Sequence, residues 1–392
     1  MVAPIAPARV IDSRLPRVAI VHDWLVNPGG AELVLRDLLR VFPEAHVFTL
    51  IDHMADDDRR AIGLGRTTTS ALQNVPGIAE HYRNFLPLMP WAVRSLDVSG
   101  YDIVLSNSHA IAKGVTTTDK QLHICYCLSP MRYAWDLRET YLRASGLDRG
   151  VKGLLARAML ERMRRWDLGN TFGVDTFVTL SSFIAERIER AYGRESTVIY
   201  PPVDTDFFTP AGPREEFYLT ASRFVQYKRI DLIAEAFRLL PDRKLIIVGD
   251  GPDAAKIRAA ADSNVTLVGR QSRPALRDYL RRARAFIFAA EEDFGIAPVE
   301  AQACGTPVIA YGAGGALETV RAAPFPTPTG VFFEEQSAEA IADAVRRFEA
   351  VASAITAENC RANSERFDAV KFREQIGAFV DAAYERRVDG TA

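Results

Sequence analysis

The feature that most constrains this chain is a repeated alternation of short apolar runs with stretches of helical periodicity. The run RVAIVHD at 17–23 is rich in apolar and β-branched residues, and AELVLRDLLRVF at 31–42 then carries apolar residues at helical spacing. The alternation continues through HVFTL, YDIVLSNS, LHICYC and DTFVTLS. Continuous apolar runs are typical of strands buried on both faces, as in parallel sheets covered by helices. The sequence therefore predicts an α/β protein.

A second series of such runs begins after residue 200. The segment VIYPPVDTDFF contains two adjacent prolines, which continue neither a helix nor a sheet, and it indicates a linker. Six further strands are predicted at FYLTASR, KLIIVGD, VTLVG, AFIFAA, PVIAY and GVFFEE. We expect two doubly wound, Rossmann-like domains, 17–200 and 201–369, which face each other across a cleft. A loose tail is expected over 1–16, and a terminal helix over about 370–386.

The overall composition argues against several classes of protein. The formal net charge of −2 provides no general attraction to nucleic acid, and no nucleic-acid partner is expected. No apolar run approaches the roughly 18–20 residues that cross a bilayer. The N-terminus lacks the apolar segment of a signal peptide, and the four cysteines fit a reducing compartment. We therefore expect a cytoplasmic protein.

The segment HICYC has the side chains of a metal site, because His123, Cys125 and Cys127 stand close together. No second cysteine pair follows, and alternation along a buried strand explains the same spacing. We favour the strand interpretation.

Two cations follow the first predicted strand of the second domain, where open α/β sheets bind ligands. In ASRFVQYKR, Arg223 ends the strand and Lys228 comes five residues later. A guanidinium and an ammonium group together suit a phosphate, although surface charges before a helix are the alternative.

The segment EEDFGIAPVE follows AFIFAA and places Glu292 and Glu300 eight residues apart. Pro298 falls in the first helical turn, so the helix start should present three backbone N–H groups to a phosphate: those of Phe294, Gly295 and Ile296. Helix capping by an acid stabilises by about 0.3–1 kcal/mol, which accounts for the first carboxylate but not for Glu300. Carboxylates on both sides of a diphosphate would accept from sugar and ribose hydroxyls, which indicates a nucleotide sugar.

A competing interpretation rests on IIVGDGPDAA, where Gly249, Gly251 and Ala254 fit a dinucleotide pattern. The following strand ends in Arg270, where NAD would require a carboxylate for its ribose. A tight turn with Pro252 at the first helical position explains the same glycines. An NAD(P)-binding oxidoreductase stays as an alternative.

The paired glutamates, with FG after the first, resemble the signature of the retaining glycosyltransferases of family 4, which have the GT-B fold. Arg223 and Lys228 match the diphosphate-binding pair of that family. Gly29–Gly30 in NPGGAE match its glycine loop, and His109 in SNSHAIAKG matches its histidine near the transferred sugar. The resemblance extends from about residue 17 to 385. Segments such as ICYCLSPMRYAWDL resemble bacterial mannosyltransferases of surface-polysaccharide assembly.

This resemblance implies a hexosyltransferase and a role for each residue. Glu300 would hold the ribose, Glu292 the donor sugar, and the two cations the departing diphosphate. The expected catalytic residues are His109, Arg223, Lys228 and Glu292. The expected donor-binding residues are Gly29, Gly30, Gly251, Arg270, Phe294, Gly295, Ile296 and Glu300. A cleft that binds the nucleotide sugar without turnover is the alternative.

The resemblance also implies the partners. The expected donor is GDP-mannose, with a UDP-hexose as the alternative, and the expected acceptor is a glycan or a polyprenyl-diphosphate-linked glycan. No metal cofactor is expected, although the DTD sequence at 204–206 is similar to the Asp-x-Asp of metal-dependent transferases.

A membrane contact is suggested by residues 138–166, which carry eight basic and three acidic residues, a net charge of +5, among apolar side chains. Such a basic amphipathic helix can lie on an anionic membrane at the inner face of the cell. Packing on its own domain with a solvated basic face is the alternative. The apolar LPLMPW segment at 86–91 is interpreted as core or loop packing.

Overall fold

The computed structural model describes residues 16–136, 138–144 and 146–390. All but the last residue of the tail predicted over 1–16 lies outside this part of the chain. The first sheet contains seven strands: β1 (Val18–His22), β2 (His46–Thr49), β3 (Thr67–Thr69), β4 (Ile103–Ser108), β5 (Leu122–Cys127), β6 (Thr176–Thr179) and β7 (Ser196–Val198). They are all parallel, in the order β3-β2-β1-β4-β5-β6-β7.

Helices connect these strands across both faces of the sheet. The α-helices between residues 30 and 192 are α1 (Gly30–Val41), α2 (Asp56–Ile62), α3 (Ile78–His81), α4 (Met89–Arg94), α5 (Arg138–Ala144), α6 (Gly150–Gly169) and α7 (Ser182–Tyr192).

The second sheet contains six parallel strands: β8 (Phe217–Ala221), β9 (Lys244–Val248), β10 (Val265–Gly269), β11 (Ala285–Phe288), β12 (Val308–Tyr311) and β13 (Gly330–Phe333). Their order is β10-β9-β8-β11-β12-β13. The helices are α8 (Ile230–Ala236), α9 (Ala254–Ala260), α10 (Arg273–Arg282), α11 (Ile296–Ala303), α12 (Ala316–Thr319), α13 (Ala338–Val351), α14 (Ala357–Ser364) and α15 (Ala369–Val388). The predicted pair of doubly wound α/β units is confirmed.

Burial on both faces explains why the strand sequences are rich in apolar residues. All five residues of β1 are buried. Val18 and Ile20 belong to the hydrophobic cluster on one face of the sheet, and Ala19 and Val21 belong to the cluster on the other face. Side chains of a strand alternate between the two faces, so a strand covered by helices on both sides needs apolar residues throughout.

The two outer strands of the first sheet were not predicted. β3 consists of three threonines and β7 of Ser-Thr-Val, and their residues are half-buried or exposed. Each has a neighbour on one side only, at opposite edges of the sheet. Pairing with an adjacent strand creates these strands, and an apolar run is therefore absent from their sequences.

The terminal helix α15 packs against the first sheet. The ring of Phe372 is buried 5.7 Å from that of Tyr126 on β5. Nη1 of Arg373 donates to Oδ1 of Asp37 on α1 at 2.6 Å. The chain thus forms the second sheet and its helices and then returns to pack against the first sheet. No helix in the described part of the chain is long and apolar enough to cross a membrane.

Candidate active site

Each sheet reverses its strand order at one position, between β1 and β4 in the first and between β8 and β11 in the second. Most of the predicted site residues follow these four strands, whereas Gly251 and Arg270 follow β9 and β10. Gly29–Gly30 come after β1 and His109 after β4, whereas Arg223 and Lys228 come after β8 and residues 292–300 after β11. Ligands of doubly wound sheets bind outside the carboxyl ends of strands at such switch points. The topology therefore places these residues at the two switch points, which are the positions that favour ligand binding.

The glycine loop of the first domain lies against α11 of the second. A Cβ atom on Gly30 would lie 3.4 Å from Cδ1 of Ile296, and one on Gly29 would lie 3.1 Å from Oε2 of Glu32. A side chain at position 30 would therefore crowd the start of α11. The small size of Gly30 lets the two domains approach each other at this point.

The start of α11 has the conformation that an anion site requires. Gly295 precedes the helix with φ of 89°, a left-handed conformation that favours glycine. The N–H groups of Phe294, Gly295 and Ile296 donate to no acceptor within the described residues. The ring of Phe294 is buried between Tyr200 and Phe367, with centroids 5.9 and 5.3 Å away. The aromatic ring anchors the loop, and its backbone donors stay available.

Glu300 lies one turn further along α11 and is partly buried. Its carboxylate has no hydrogen-bond or ion-pair partner among residues 16–136, 138–144 and 146–390. Burial raises the pKa of Glu300 to about 7; Arg273 opposes this effect and Asp204 adds to it. An ionised carboxylate out of water is costly unless it is hydrogen-bonded. This arrangement suits a ligand that donates hydrogen bonds.

Lys228 and Glu292 form a direct ion pair. Their side chains are 17% and 20% exposed, so the pair is largely shielded from water. Burial, with the Arg132 guanidinium acting in the same direction, lowers the pKa of Lys228 to about 8. Arg223 is exposed, and its guanidinium has no partner in the described part of the chain. The sequence interpretation assigned Lys228 and Glu292 to different parts of a donor, whereas the structure pairs them.

His109 is held by Asp23, a buried carboxylate at the end of β1. Nδ1 of His109 lies 2.8 Å from Oδ2 of Asp23. The same carboxylate accepts four backbone N–H groups at 2.6–3.1 Å, those of residues 109–112. Burial opposes a charge on the imidazole, but Asp23 outweighs it and raises the pKa of His109 above its ordinary value. A histidine held in this way favours the charged, proton-donating form over the form of a base.

Sequence reasoning missed two arginines of the first domain that reach the donor loop. Arg132, in the segment after β5, forms an ion pair with Oδ2 of Asp293. Arg187 on α7 donates from Nη1 to Oδ1 of the same carboxylate at 3.1 Å. The sequence offered no signal for this contact, because about 161 and 106 positions separate the partners along the chain.

A second missed element is the glycine pair after β12. The N–H of Gly315 donates to the Glu292 carbonyl at 2.8 Å, and a Cβ atom there would lie 2.5 Å from the Phe294 carbonyl oxygen. A signal was available, since GAGGAL follows a predicted strand at its carboxyl end. Only a residue without a side chain fits so close to the donor loop.

The glycines of the dinucleotide-like segment serve packing. Gly251 has φ of 156°, and a Cβ atom on it would lie 2.5 Å from the Phe224 carbonyl oxygen. The N–H of Phe224 in turn donates to the Asp250 carbonyl at 2.9 Å. Gly251 therefore packs against the backbone of the loop that carries Arg223. Arg270 is exposed just after edge strand β10, two strands from β8, and forms no hydrogen bond or ion pair with the other predicted residues.

The two metal-like segments have other partners. His123 uses both ring nitrogens, Nε2 with Ser106 Oγ at 2.9 Å and Nδ1 with the Gly173 carbonyl at 2.8 Å. Asp204 pairs with Arg273 at 3.1 Å and accepts the N–H of Phe207 at 3.2 Å. Within the described ranges, no group of three or more His, Cys, Asp or Glu side chains could hold a metal ion.

Comparison with known families agrees with the geometry. Residues 28–207 match the family described as Glycosyltransferase Family 4, and residues 204–367 match Glycosyl transferases group 1. The chain belongs to the group 1 glycosyltransferases of family 4. The resemblance carried by the paired glutamates and the Arg/Lys pair is confirmed at the level of the family.

Curated relatives match part of this glycosyltransferase. It is 33% identical over 222 residues to the GDP-mannose-dependent alpha-(1-6)-phosphatidylinositol monomannoside mannosyltransferase of Mycolicibacterium smegmatis, over 49% of this chain and 55% of that enzyme. It is also 33% identical over 178 residues to the corresponding monoacylated-substrate mannosyltransferase of Corynebacterium glutamicum, over 38% of this chain and 47% of that enzyme. The chain spans about half the length of these two relatives.

Solved structures show the same fold at low sequence identity. Anabaena Alr3699/HepE in complex with UDP has a TM-score of 0.69 and 18% identity, over 93% of this chain and 100% of that one. The lipopolysaccharide outer core galactosyltransferase WaaB in its apo form has a TM-score of 0.60 and 17% identity, over 96% and 100%. The expected GT-B fold is confirmed.

The partnerless Glu300 generates a prediction about stability and pH. Its pKa in the folded protein, about 7, lies above the ordinary value of 4.5, so the ionised form destabilises the fold. The resulting loss of stability is absent below pH 4.5, grows as the pH rises from 4.5 to about 7, and is complete above that pH. Without ligand, Glu300→Gln should therefore be more stable than the wild type at pH 8, by about 1–3 kcal/mol, and nearly equal at pH 4.5. Urea denaturation at both pH values measures this.

The control for this prediction is Glu334→Gln, which changes an exposed glutamate after β13. It should leave the free energy of unfolding the same relative to the wild type at both pH values. If the free energy of unfolding changed equally with pH in the Glu300→Gln protein and in the wild type, Glu300 would not titrate as described.

Proposed function

We propose that this protein is a retaining hexosyltransferase that moves a sugar from a nucleoside diphosphate sugar to a growing surface glycan. The observation that carries the proposal is Glu300, a partly buried carboxylate without a partner among the described residues. It lies on α11, directly after the loop that carries Glu292 and the N–H groups without described acceptors. That loop follows β11, the neighbour of the strand β8 that leads to Arg223 and Lys228. Two adjacent ribose hydroxyls would supply the hydrogen bonds that Glu300 lacks.

The ion pair between Lys228 and Glu292 suggests how the donor enters. A diphosphate carries more negative charge than one carboxylate, so Lys228 would exchange Glu292 for the phosphate oxygens. Glu292 would then be free to accept hydrogen bonds from the sugar hydroxyls. Arg223, exposed and without a described partner, would supply the second cation. Binding of the diphosphate would thus prepare the group that holds the sugar.

The same cations would stabilise the departing diphosphate, an electrostatic contribution of several kcal/mol. Asp23 raises the pKa of His109 and so favours its proton-donating form, which suits a contact with the sugar better than proton abstraction. As in the family, the leaving phosphate oxygen would take the proton of the acceptor. We propose no metal cofactor, because the basic side chains supply the positive charge.

GDP-mannose is the proposed donor. The two curated relatives at 33% identity are named GDP-mannose-dependent mannosyltransferases, although each match covers only part of the chain. A UDP-hexose is the alternative, since Glu292, Glu300 and the two cations would hold either diphosphate.

A thermal-shift screen with GDP, UDP, ADP, GDP-mannose, UDP-glucose and NADH tests the function. Stabilisation by GDP and GDP-mannose alone is expected, of about 2.7 kcal/mol at a hundredfold excess over the dissociation constant. A response to UDP compounds would keep the mechanism and change the donor. A response to NADH without one to any nucleotide sugar would overturn the proposal and favour the oxidoreductase alternative.

Removal of the Lys228 ammonium tests its role with the leaving group. Lys228→Ala should lower turnover about 10²–10³-fold, because one preorganised charge at the departing oxygen is lost. Sugar released from GDP-mannose, with or without acceptor, measures this. Lys256→Ala is the control, since that lysine pairs with Asp231 on the outside of the second domain. Near-normal turnover in a folded Lys228→Ala protein would refute the assigned role.

We further propose that the acceptor is lipid-linked and reached at the inner face of the membrane. The first domain exposes a surface that we call the lipid-facing surface: Leu88, Trp91, Val151, Leu154 and Leu155. Their exposed fractions are 51–75%. The interpretation of LPLMPW as core or loop packing is thus correct for Met89, which is 2% exposed, but wrong for Leu88 and Trp91, which are 51% and 61% exposed.

A groove of about 760 Å³ lies between residues 87–94 and α6, beside the lipid-facing surface. Its lining is mainly apolar and includes Trp91, Met159 and Met163, whereas Arg94 and Arg162 supply positive charge. Apolar side chains next to arginines suit a surface of acyl chains and anionic headgroups.

Vesicle flotation tests the membrane contact. The wild type should bind phosphatidylglycerol vesicles and not phosphatidylcholine vesicles. The double substitution Leu154→Ser and Leu155→Ser should weaken binding at least about tenfold, because two apolar side chains no longer enter the membrane. Leu317→Ser, which changes a leucine 57% exposed on the second domain, is the control. Equal binding by the double variant and the control would refute the surface.

A further inference from the structure

Asp293 is a residue of the second domain whose partners belong to the first. Its carboxylate is only 12% exposed and accepts from Arg132 through Oδ2 and from Arg187 through Oδ1. The Arg187 side chain is 6% exposed and also donates from Nε to Asp136 at 2.5 Å. The cross-domain contact therefore joins two guanidinium groups to one largely buried carboxylate, unlike an exposed surface pair. Asp136, at 53% exposed, is the solvent-facing partner of Arg187 within the first domain.

The backbone of the same residue is held from the same side. Oγ of Ser181, the N-cap of α7, donates to the Asp293 carbonyl oxygen at 2.5 Å. Glu318 of the second domain accepts the N–H groups of Ser182 and Phe183 at 3.0 and 3.1 Å. Side chain and main chain of Asp293 are both bound by the first domain, and α7 contacts the second domain at two further points.

Asp293 lies between the proposed sugar ligand and the start of α11, so the contact with the first domain affects both. Glu292, the proposed ligand of the donor sugar, precedes it directly, and Phe294–Gly295 at the start of α11 follow. Fixing Asp293 at both its carboxylate and its carbonyl restricts the backbone on which Glu292 stands. Separation of the domains would remove Arg132, Arg187 and Ser181 together, and the loop 292–295 would lose these constraints.

We propose that Arg132 and Arg187 are positioning residues that couple closure of the two domains to placement of the sugar-binding loop 292–295. They act through Asp293 and not by contact with the nucleotide, which Glu300, Arg223 and Lys228 would hold. The inference rests on the proposed function, because it assigns Glu292 to the donor sugar. It adds that the first domain completes the sugar subsite of the second.

Binding measurements separate this role from a purely structural one. In Arg132→Ala, the dissociation constant of GDP-mannose should rise about tenfold, as expected when hydrogen bonds to the sugar are misplaced. The dissociation constant of GDP should change less than about twofold, because Glu300, Arg223 and Lys228 lie outside the loop 292–295 and keep their positions. Arg132→Lys keeps a charge opposite Asp293 and should restore most of the difference. If the wild type binds UDP and does not bind GDP, the same measurements use UDP and UDP-glucose.

The control is Arg347→Ala, which breaks an exposed arginine–aspartate pair with Asp343 on α13. It should change neither dissociation constant. If Arg132→Ala behaves like this control, or weakens GDP and GDP-mannose equally, the positioning role is overturned. A wild type that binds no nucleotide would instead overturn the proposed function, and with it the inference.

A double-mutant cycle tests whether Arg132 acts through Asp293. Asp293→Asn alone should raise the dissociation constant of GDP-mannose about as much as Arg132→Ala does. Adding Arg132→Ala to Asp293→Asn should raise that dissociation constant by less than about a further twofold. Independent, multiplying effects would show that Arg132 contacts the donor directly. The double variant also leaves no unpaired carboxylate opposite the missing arginine, so it keeps the test valid if Arg132→Ala alone does not fold.

Discussion

The loop that precedes α11 is held between two domains, and the candidate site depends on that contact. Phe294 is buried among Tyr200 and Phe367, Ile296 lies against Gly30, and Asp293 is bound by arginines of the first domain. The constraint leaves the N–H groups at the start of α11 and the carboxylate of Glu300 without partners among the described residues.

Electrostatic balance in the cleft follows from this arrangement. Lys228 and Glu292 neutralise each other, as do Arg132 and Asp293, so that no cation near the loop except Arg223 is left without a described partner. Glu300 is a partly buried carboxylate without a described partner, and its raised pKa expresses the cost of burying it unpaired. A site that stores paired charges can accept a diphosphate by exchanging partners, which avoids creating a buried, uncompensated charge.

Most elements of the fold could be predicted because strands buried on both faces are rich in apolar residues, and β1, β4 and β5 are buried along their whole length. The edge strands β3 and β7 could not, because a neighbour's backbone creates them and their side chains are polar or exposed. The same limit applies to Leu88 and Trp91: an apolar residue on a short helix carries no mark of whether it turns inward. Their exposure depends on how α4 packs on the sheet.

The sequence by itself determined the paired sheets, the strand ends on which chemistry could stand, and the residue types of the candidate site. These are local properties, set by the periodicity of side chains and by the Gly and Pro residues that end each element. Only the tertiary structure decided that Lys228 pairs with Glu292, that Gly251 supports the Arg223 loop, and that Arg132 and Arg187 reach Asp293. Such contacts join residues from distant segments, and they form only when two separate sheets pack against each other.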